Sequence, residues 1–215
     1  FPRKILNEAR KIFENYKISK NEHQIVKPFI TIDPDDAKDL DDAIYIETDN
    51  SKNNRGGVVL FVGISDVSFF VKPNSIIDRE ALKRGNSTYF PDKVIPMLPE
   101  DLSNNLCSLK ENSPKKAVVV KMHLDHRGYK IKHEFIRGII TVKKNYTYET
   151  FETYLSDNET KKKYSEYKRA LNILKQSPHL KNRLNLNLAE KKITFSSEGY
   201  PTNVYEKNSL GSNEL

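Results

Sequence analysis

Between residues 31 and 47 the chain reads TIDPDDAKDLDDAIYIE, and this stretch limits the folds open to it. Asp33, Asp35, Asp36, Asp39, Asp41 and Asp42 fall within ten residues, with Lys38 the single basic residue among them. Carboxylates at that density repel one another, which raises their pKa values and costs stability. Apolar, β-branched and aromatic residues stand on both sides, PFITI before and AIYIE after. That pattern predicts two strands, with the acidic residues in a turn or irregular loop between them. The strands pin Asp33 at the end of one and Asp39, Asp41 and Asp42 near the start of the next. Four carboxylates are therefore expected to fold back toward one point.

Two readings of such a loop stand open. Aspartates beside a proline favour solvated turns in which the side chain caps the backbone, and this accounts for Asp35 and Asp36 beside Pro34. A hard divalent cation accounts better for the others. Magnesium is held by a few carboxylates while waters and substrate phosphates complete its shell, and the spacing D-x5-D-x-D-D supplies several carboxylates from one loop. A calcium EF-hand does not fit, because its loop requires Gly at the sixth position. Counting from Asp33 or Asp35 that position holds Lys38 or Leu40.

Charge and composition narrow the class. The chain has 36 Lys and Arg against 29 Asp and Glu, a net charge of +7, with 37% hydrophobic and 30% charged residues. This is the balance of a soluble globular protein of one large or two small domains. The basic excess concentrates between residues 115 and 144, where Lys115, Lys116, Lys121, Arg127, Lys130, Lys132, Arg137, Lys143 and Lys144 face only Asp125 and Glu134. A basic body around a concentrated acidic site suits an anionic ligand, and nucleic acid in particular, whose chemistry runs on metal ions. A basic solvated surface is the plain alternative.

No run approaches the roughly 18 apolar residues of a membrane helix, and the first residues, FPRKILNEARKIFENY, lack the apolar core of a signal peptide. One cysteine, Cys107, allows no intramolecular disulfide, and a cytoplasmic location is expected. It reads as a small buried apolar side chain. His123, His126 and His133 resemble a zinc motif only in spacing, since they need not share a face. Joined to the basic body, the acidic site suits metal-assisted phosphodiester hydrolysis, which requires no nucleophilic side chain, and a sequence without G-x-S-x-G, a Cys and His pair or a Walker-type loop fits that chemistry.

The pattern along the chain predicts a leading helix and loop over residues 1–30, with Ile5, Leu6, Ala9, Ile12 and Phe13 at helical spacing. Residues 31–145 read as a sheet that carries the acidic loop. Its strands are PFITID, AIYIE, one or two within VVLFVGISDVSFFV, then KKAVVVKMHLD and GYKIKHEFIRGIITV about a turn at Gly128. A helix is expected at SIIDREALKRGN. The segment STYFPDKVIPMLPEDLSNNLCSL holds Pro91, Pro96 and Pro99, too many for a regular element, yet its apolar content must pack on something. Residues 146–215 read as mainly helical to about residue 184, broken around 156–160 and at Pro178, with a tail hairpin turning at Ser197 to Gly199. The fold class is α+β, with a mixed, largely antiparallel sheet flanked by helices.

ITIDPDDAKDLDDAIYIE, VGISDVSFFV and DREALKRGNSTYFPDKVIPMLPEDLSNNLCSL resemble, in order and spacing, the catalytic-domain signature of the ribonuclease II and ribonuclease R family. The resemblance runs from FPRKILNEA to SNEL. It implies the N-terminal part of an RNB-type catalytic domain, incomplete here, which in the family is followed by an arginine-rich motif. By position, it implies that Asp33, Asp39, Asp41 and Asp42 hold Mg2+, with Mn2+ as a substitute, and that Asp41 is the residue most directly needed for cleavage. Tyr89 matches an aromatic that stacks on a base near the RNA 3′ end. Asp66, Asn86 and Phe90 fall in matching segments and are expected only to support the pocket. The implied activity is 3′ to 5′ exoribonucleolytic release of nucleoside 5′-monophosphates from single-stranded RNA, in a longer chain. A non-catalytic RNA-binding or interaction fragment that retains the loop is the alternative.

Overall fold

In the computed structural model the described residues are 1–19, 21–157, 164–177 and 190–207. Helix α1 (Arg3–Asn15) leads to strands β1 (Phe29–Asp33), β2 (Asp42–Thr48) and β3 (Val58–Ser65). A one-turn helix α2 (Val67–Phe70) and helix α3 (Ile76–Arg84) follow, then the short strands β4 (Thr88–Tyr89) and β5 (Val94–Ile95) and a π-helical segment, Asp101–Leu106. The long strands β6 (Pro114–Leu124) and β7 (Lys130–Thr147) come next, then helices α4 (Tyr148–Ser156) and α5 (Ser165–Gln176), and finally the hairpin of β8 (Glu190–Phe195) and β9 (Pro201–Lys207).

Five strands close into a barrel in the order β1-β2-β3-β6-β7. The pairings are antiparallel except at the seam, where β1 runs parallel to β7 and Asp33 lies beside Thr147. The α+β class with a mixed, largely antiparallel sheet is therefore what forms, and closure leaves the barrel strands no free edge. Period-two alternation sorts the side chains. Phe29, Ala43, Val59, Phe61, Ala117, Val119, Ile140 and Val142 fill the interior. Gly63 is small because a Cβ there would meet Ile140 Cδ1 at 3.0 Å.

On the outer face Ile30, Ile44, Ile46, Val58 and Leu60 pack beneath Phe151 and Leu155 of α4 and Ala170 and Ile173 of α5. Both faces of the first strands are thus covered, which is why Val58 to Phe61 are all buried. Among the described residues no helix is long and apolar enough to cross a membrane.

The sequence reading needs two adjustments here. VVLFVGISDVSFFV does not continue as strand beyond Ser65, because the Asp66 carboxylate accepts the Phe69 N–H and caps helix α2. The proline-rich stretch also holds regular structure, the β4–β5 pair and the π-helical segment. Its apolar residues Leu98, Leu102, Leu106 and Cys107 form a third cluster with Ile5 and Ala9 of α1, Phe70 of α2 and Ile77 of α3. In the last third α4 and α5 match the helical expectation, and β8 and β9 form the hairpin about Ser196 to Tyr200. Residues 158–163, 178–189 and 208–215, which include the expected break at Pro178 and the SNEL end, lie outside the described residues.

Candidate active site

The acidic loop hangs between the C-terminal end of β1 and the start of β2, at one rim of the barrel. Asp33 is the last residue of β1 and Asp42 the first of β2, where it pairs with Ile64. Between them Ala37 to Asp41 carry no regular structure. What fixes them is a set of contacts from distant segments. Leu40 inserts into the barrel interior and is 8% exposed. Its carbonyl accepts the Leu109 N–H at 2.8 Å, and its N–H donates to the Ser108 hydroxyl at 3.2 Å. That hydroxyl in turn donates to the Lys38 carbonyl at 2.8 Å. The Asp41 carbonyl accepts the Ser65 N–H at 2.8 Å.

A second chain of contacts reaches Asp33. The Asn145 amide of β7 donates to the Thr31 hydroxyl at 3.0 Å and to the Leu109 carbonyl at 3.1 Å. The Thr31 side chain in turn favours the ionised form of the Asp33 carboxyl. Asp33 Oδ2 is buried with no hydrogen-bond partner. Burial, and then the charges of Asp42, Asp41 and Asp39, push the Asp33 carboxyl up to about 6 against the opposing influence of Thr31. Asp41 is also raised, first by partial withdrawal from water and then by Asp39 and Asp42, although its side chain still reaches solvent. Partial withdrawal from water raises Asp42 in the same direction. The four aspartates thus sit close enough to feel one another.

Tyr89 belongs to this rim. The β4–β5 hairpin carries it over the loop, and its hydroxyl lies 3.4 Å from Asp39 Oδ2. Partial burial, then the negative charges of Asp39 and Asp41, raise its phenol pKa. The residue remains 66% exposed, so an aromatic side chain stands open to solvent beside the carboxylates. Asp35 and Asp36 are diverted elsewhere, 3.5 and 3.9 Å from the Lys192 ammonium on β8. Asp66 is 2% exposed and is gripped by Arg137 at 2.6 and 2.8 Å, an anchor between α2 and β7 rather than a part of the loop. Asn86 and Phe90 are exposed.

Oxygen ligands, excess negative charge and an orphaned buried carboxylate oxygen are features that a hard cation could satisfy. Among the described residues no three His, Cys, Asp or Glu side chains are already gathered closely enough to hold a metal ion. The same holds for the histidines: His123 is bound to the buried Asp49 at 2.7 Å, and His133 stacks edge-on against Phe135. Cys107 is buried, and its thiol is pushed up to about 11 by that burial. A cavity of about 500 Å³ lies away from the loop, lined by residues such as Tyr45, Tyr146 and Tyr167 and by none of the aspartates. Ser108, Asn145 and Thr31 escape sequence reasoning, because their hydrogen-bond partners lie 70, 36 and 114 positions away and leave no local pattern.

The sequence profile of the RNB domain matches residues 22–215. The chain is 36% identical over 208 residues to ribonuclease R of Mycoplasmopsis pulmonis, covering 93% of this chain and 28% of that protein. To ribonuclease R of Buchnera aphidicola subsp. Acyrthosiphon pisum it is 38% identical over 171 residues, 79% of this chain and 23% of that one. Among solved structures, Mycoplasma genitalium RNase R in complex with ribose methylated single-stranded RNA superposes with a TM-score of 0.85 at 27% identity, over 100% of this chain and 34% of that one. The chain belongs to the RNB-domain family, and it spans about a quarter of the length of these curated relatives.

Proposed function

We infer that this chain carries the carboxylate half of a 3′ to 5′ exoribonuclease site, which in the whole protein hydrolyses single-stranded RNA to nucleoside 5′-monophosphates in the cytosol. One observation carries the reading: an exposed tyrosine stands over a loop in which neighbouring carboxylates raise Asp33 and Asp41, with its hydroxyl 3.4 Å from Asp39. Family membership and the RNA-bound relative support it.

Asp33, Asp39, Asp41 and Asp42 would hold Mg2+ or Mn2+, which when bound supplies an activated water and a counter-charge for the leaving 3′-oxygen. The chain's own residues do the rest. Tyr89 offers a stacking face to a base, a contact worth about 1 to 3 kcal/mol and tolerant of sequence. The raised carboxyls keep negative charge in reserve for a cation, since each ionises more readily once an opposite charge is near. The basic strands β6 and β7 provide phosphate attraction that does not depend on sequence.

The test is Asp41→Asn in a full-length RNB protein that carries this region. Hydrolysis is expected to fall on the order of a thousand-fold, with RNA affinity within a few-fold of wild type, because affinity rests on phosphate contacts and stacking. Cleavage at the wild-type rate would refute the assignment. The 215-residue chain alone is expected to release little product. A non-catalytic RNA-binding role is the reading to adopt if the full-length protein binds RNA in Mg2+ and leaves it intact.

A further inference from the structure

We propose that Ser108 is the positioning residue of the carboxylate site: its hydroxyl brackets Asp39 by bonding the backbone on both sides of it. The inference rests on reading the four aspartates as a cation site.

The geometry is specific. Ser108 is 0% exposed, so its hydroxyl has no water to bond and its polar contacts must be internal. It donates to the Lys38 carbonyl at 2.8 Å and accepts from the Leu40 N–H at 3.2 Å, the residues before and after Asp39. A hydroxyl is suited to this because it has one proton to give and lone pairs to accept with. The next residue completes the clasp, with the Leu109 N–H on the Leu40 carbonyl at 2.8 Å. Ala37 to Asp41 have neither helix nor strand to hold them. The direction of the Asp39 carboxylate therefore depends on a side chain 69 positions away, counted as 108 minus 39.

Asp39 also receives the Tyr89 hydroxyl. A shift of its backbone consequently moves two parts of the site at once, the carboxylate and the partner of the aromatic ring. Partners that orient metal-binding carboxylates commonly change cation affinity by about 10- to 100-fold when removed.

The experiment measures Mn2+ binding to the 215-residue chain by the electron paramagnetic resonance signal of the free ion. It compares wild type, Asp39→Asn, Ser108→Ala and the double variant, with thermal unfolding to confirm that each is folded. Ser108→Ala is expected to weaken Mn2+ binding about ten-fold. In the Asp39→Asn background it is expected to cause no further loss, because the group through which it acts is already neutral. Equal losses in both backgrounds would show that the serine merely supports the fold, and would overturn the proposal. So would wild-type affinity in Ser108→Ala while Asp39→Asn is weakened.

If the wild-type chain and Asp39→Asn both fail to take up Mn2+, the cation reading itself falls and the proposal with it, a result distinct from the other two. Should Ser108→Ala not fold, Ser108→Cys replaces it, with nearly the same size and a weaker donor and acceptor. It is expected to give a smaller loss in the same direction, and unchanged affinity would overturn the proposal.

Discussion

Asp33 and Asp66 stand in comparable places, one ending strand β1 and the other just after strand β3, and each is drawn into protein. Their environments push them in opposite directions. Burial alone would raise Asp66, but hydrogen bonds from Arg137, Ser68 and the Phe69 N–H more than offset it and hold its carboxyl below the usual range. Burial raises Asp33 too, and there the neighbours Asp42, Asp41 and Asp39 add to it while one oxygen goes unpaired. Burial alone therefore does not tell these two aspartates apart. What separates them is the sign of the company each keeps: a carboxylate with donors builds the fold, while one among carboxylates stores repulsion that a bound cation would relieve.

The largest effect expected from this contrast is on stability at Asp66. Asp66→Ala removes the cap of α2 and the charged partner of Arg137, and should lower unfolding free energy by about 2 to 3 kcal/mol. Urea unfolding at neutral pH measures it. A loss under about 0.5 kcal/mol, the range of an ordinary surface change, would break the comparison.

The same pair sets the acid limit. The folded pKa of Asp66 lies below the unfolded value of about 3.9, so its contribution is fully present above that pH and fades as pH falls toward the folded value. Asp49 is lowered in the same way: burial opposes its ionisation, but bonds from Asn54, His123 and Ser51 outweigh that. The urea midpoint should therefore drop steeply below about pH 4, and Asp66→Ala should drop less steeply than wild type. Parallel acid limbs in the two proteins would show that other groups control this range.

Asp33 should answer with the opposite sign and a smaller size. In cation-free buffer at pH 7, Asp33→Asn removes one of the mutually repelling charges and should raise stability by about 1 kcal/mol, which Mg2+ or Mn2+ should abolish by favouring the wild type. A destabilised Asp33→Asn in cation-free buffer would mean that the loop holds its charges without strain.

How much of this was open to a reader of the sequence divides along a physical line. The strands announced themselves because PFITID, AIYIE and VVLFVGIS are rich in apolar, β-branched and aromatic residues, and the acidic loop because turn capping accounts for Asp35 and Asp36 but not for Asp33, Asp39, Asp41 and Asp42. Barrel closure was not legible. The parallel seam between β1 and β7 joins residues more than 100 positions apart, and its register depends on packing that one sequence does not display. Helix α2 was hidden in an apolar run, where a single cap at Asp66 decides between strand and helix. Tyr89 was visible only through its resemblance to a family motif. Ser108 and Asn145 were not visible at all, since their bonding partners are backbone atoms and hydroxyls far along the chain.

The smallest expected effect on folding, and the sharpest probe of the rim, is at Tyr89. The residue is 66% exposed and its hydroxyl contact to Asp39 is long at 3.4 Å, so Tyr89→Phe and Tyr89→Ala should each change stability by no more than about 0.5 kcal/mol. In a full-length RNB protein that carries this region the two should part company. Phenylalanine keeps the π-face on which a base would stack, whereas alanine removes it and should forfeit about 1 to 3 kcal/mol of grip. Digestion of a labelled single strand to its limit should therefore end at the wild-type length with Tyr89→Phe and at a different length with Tyr89→Ala. If phenylalanine behaves like alanine, the phenol matters rather than the ring. Tyr89 would then belong with Ser108 among the groups that aim Asp39, on the structural side of the line that divides Asp66 from Asp33.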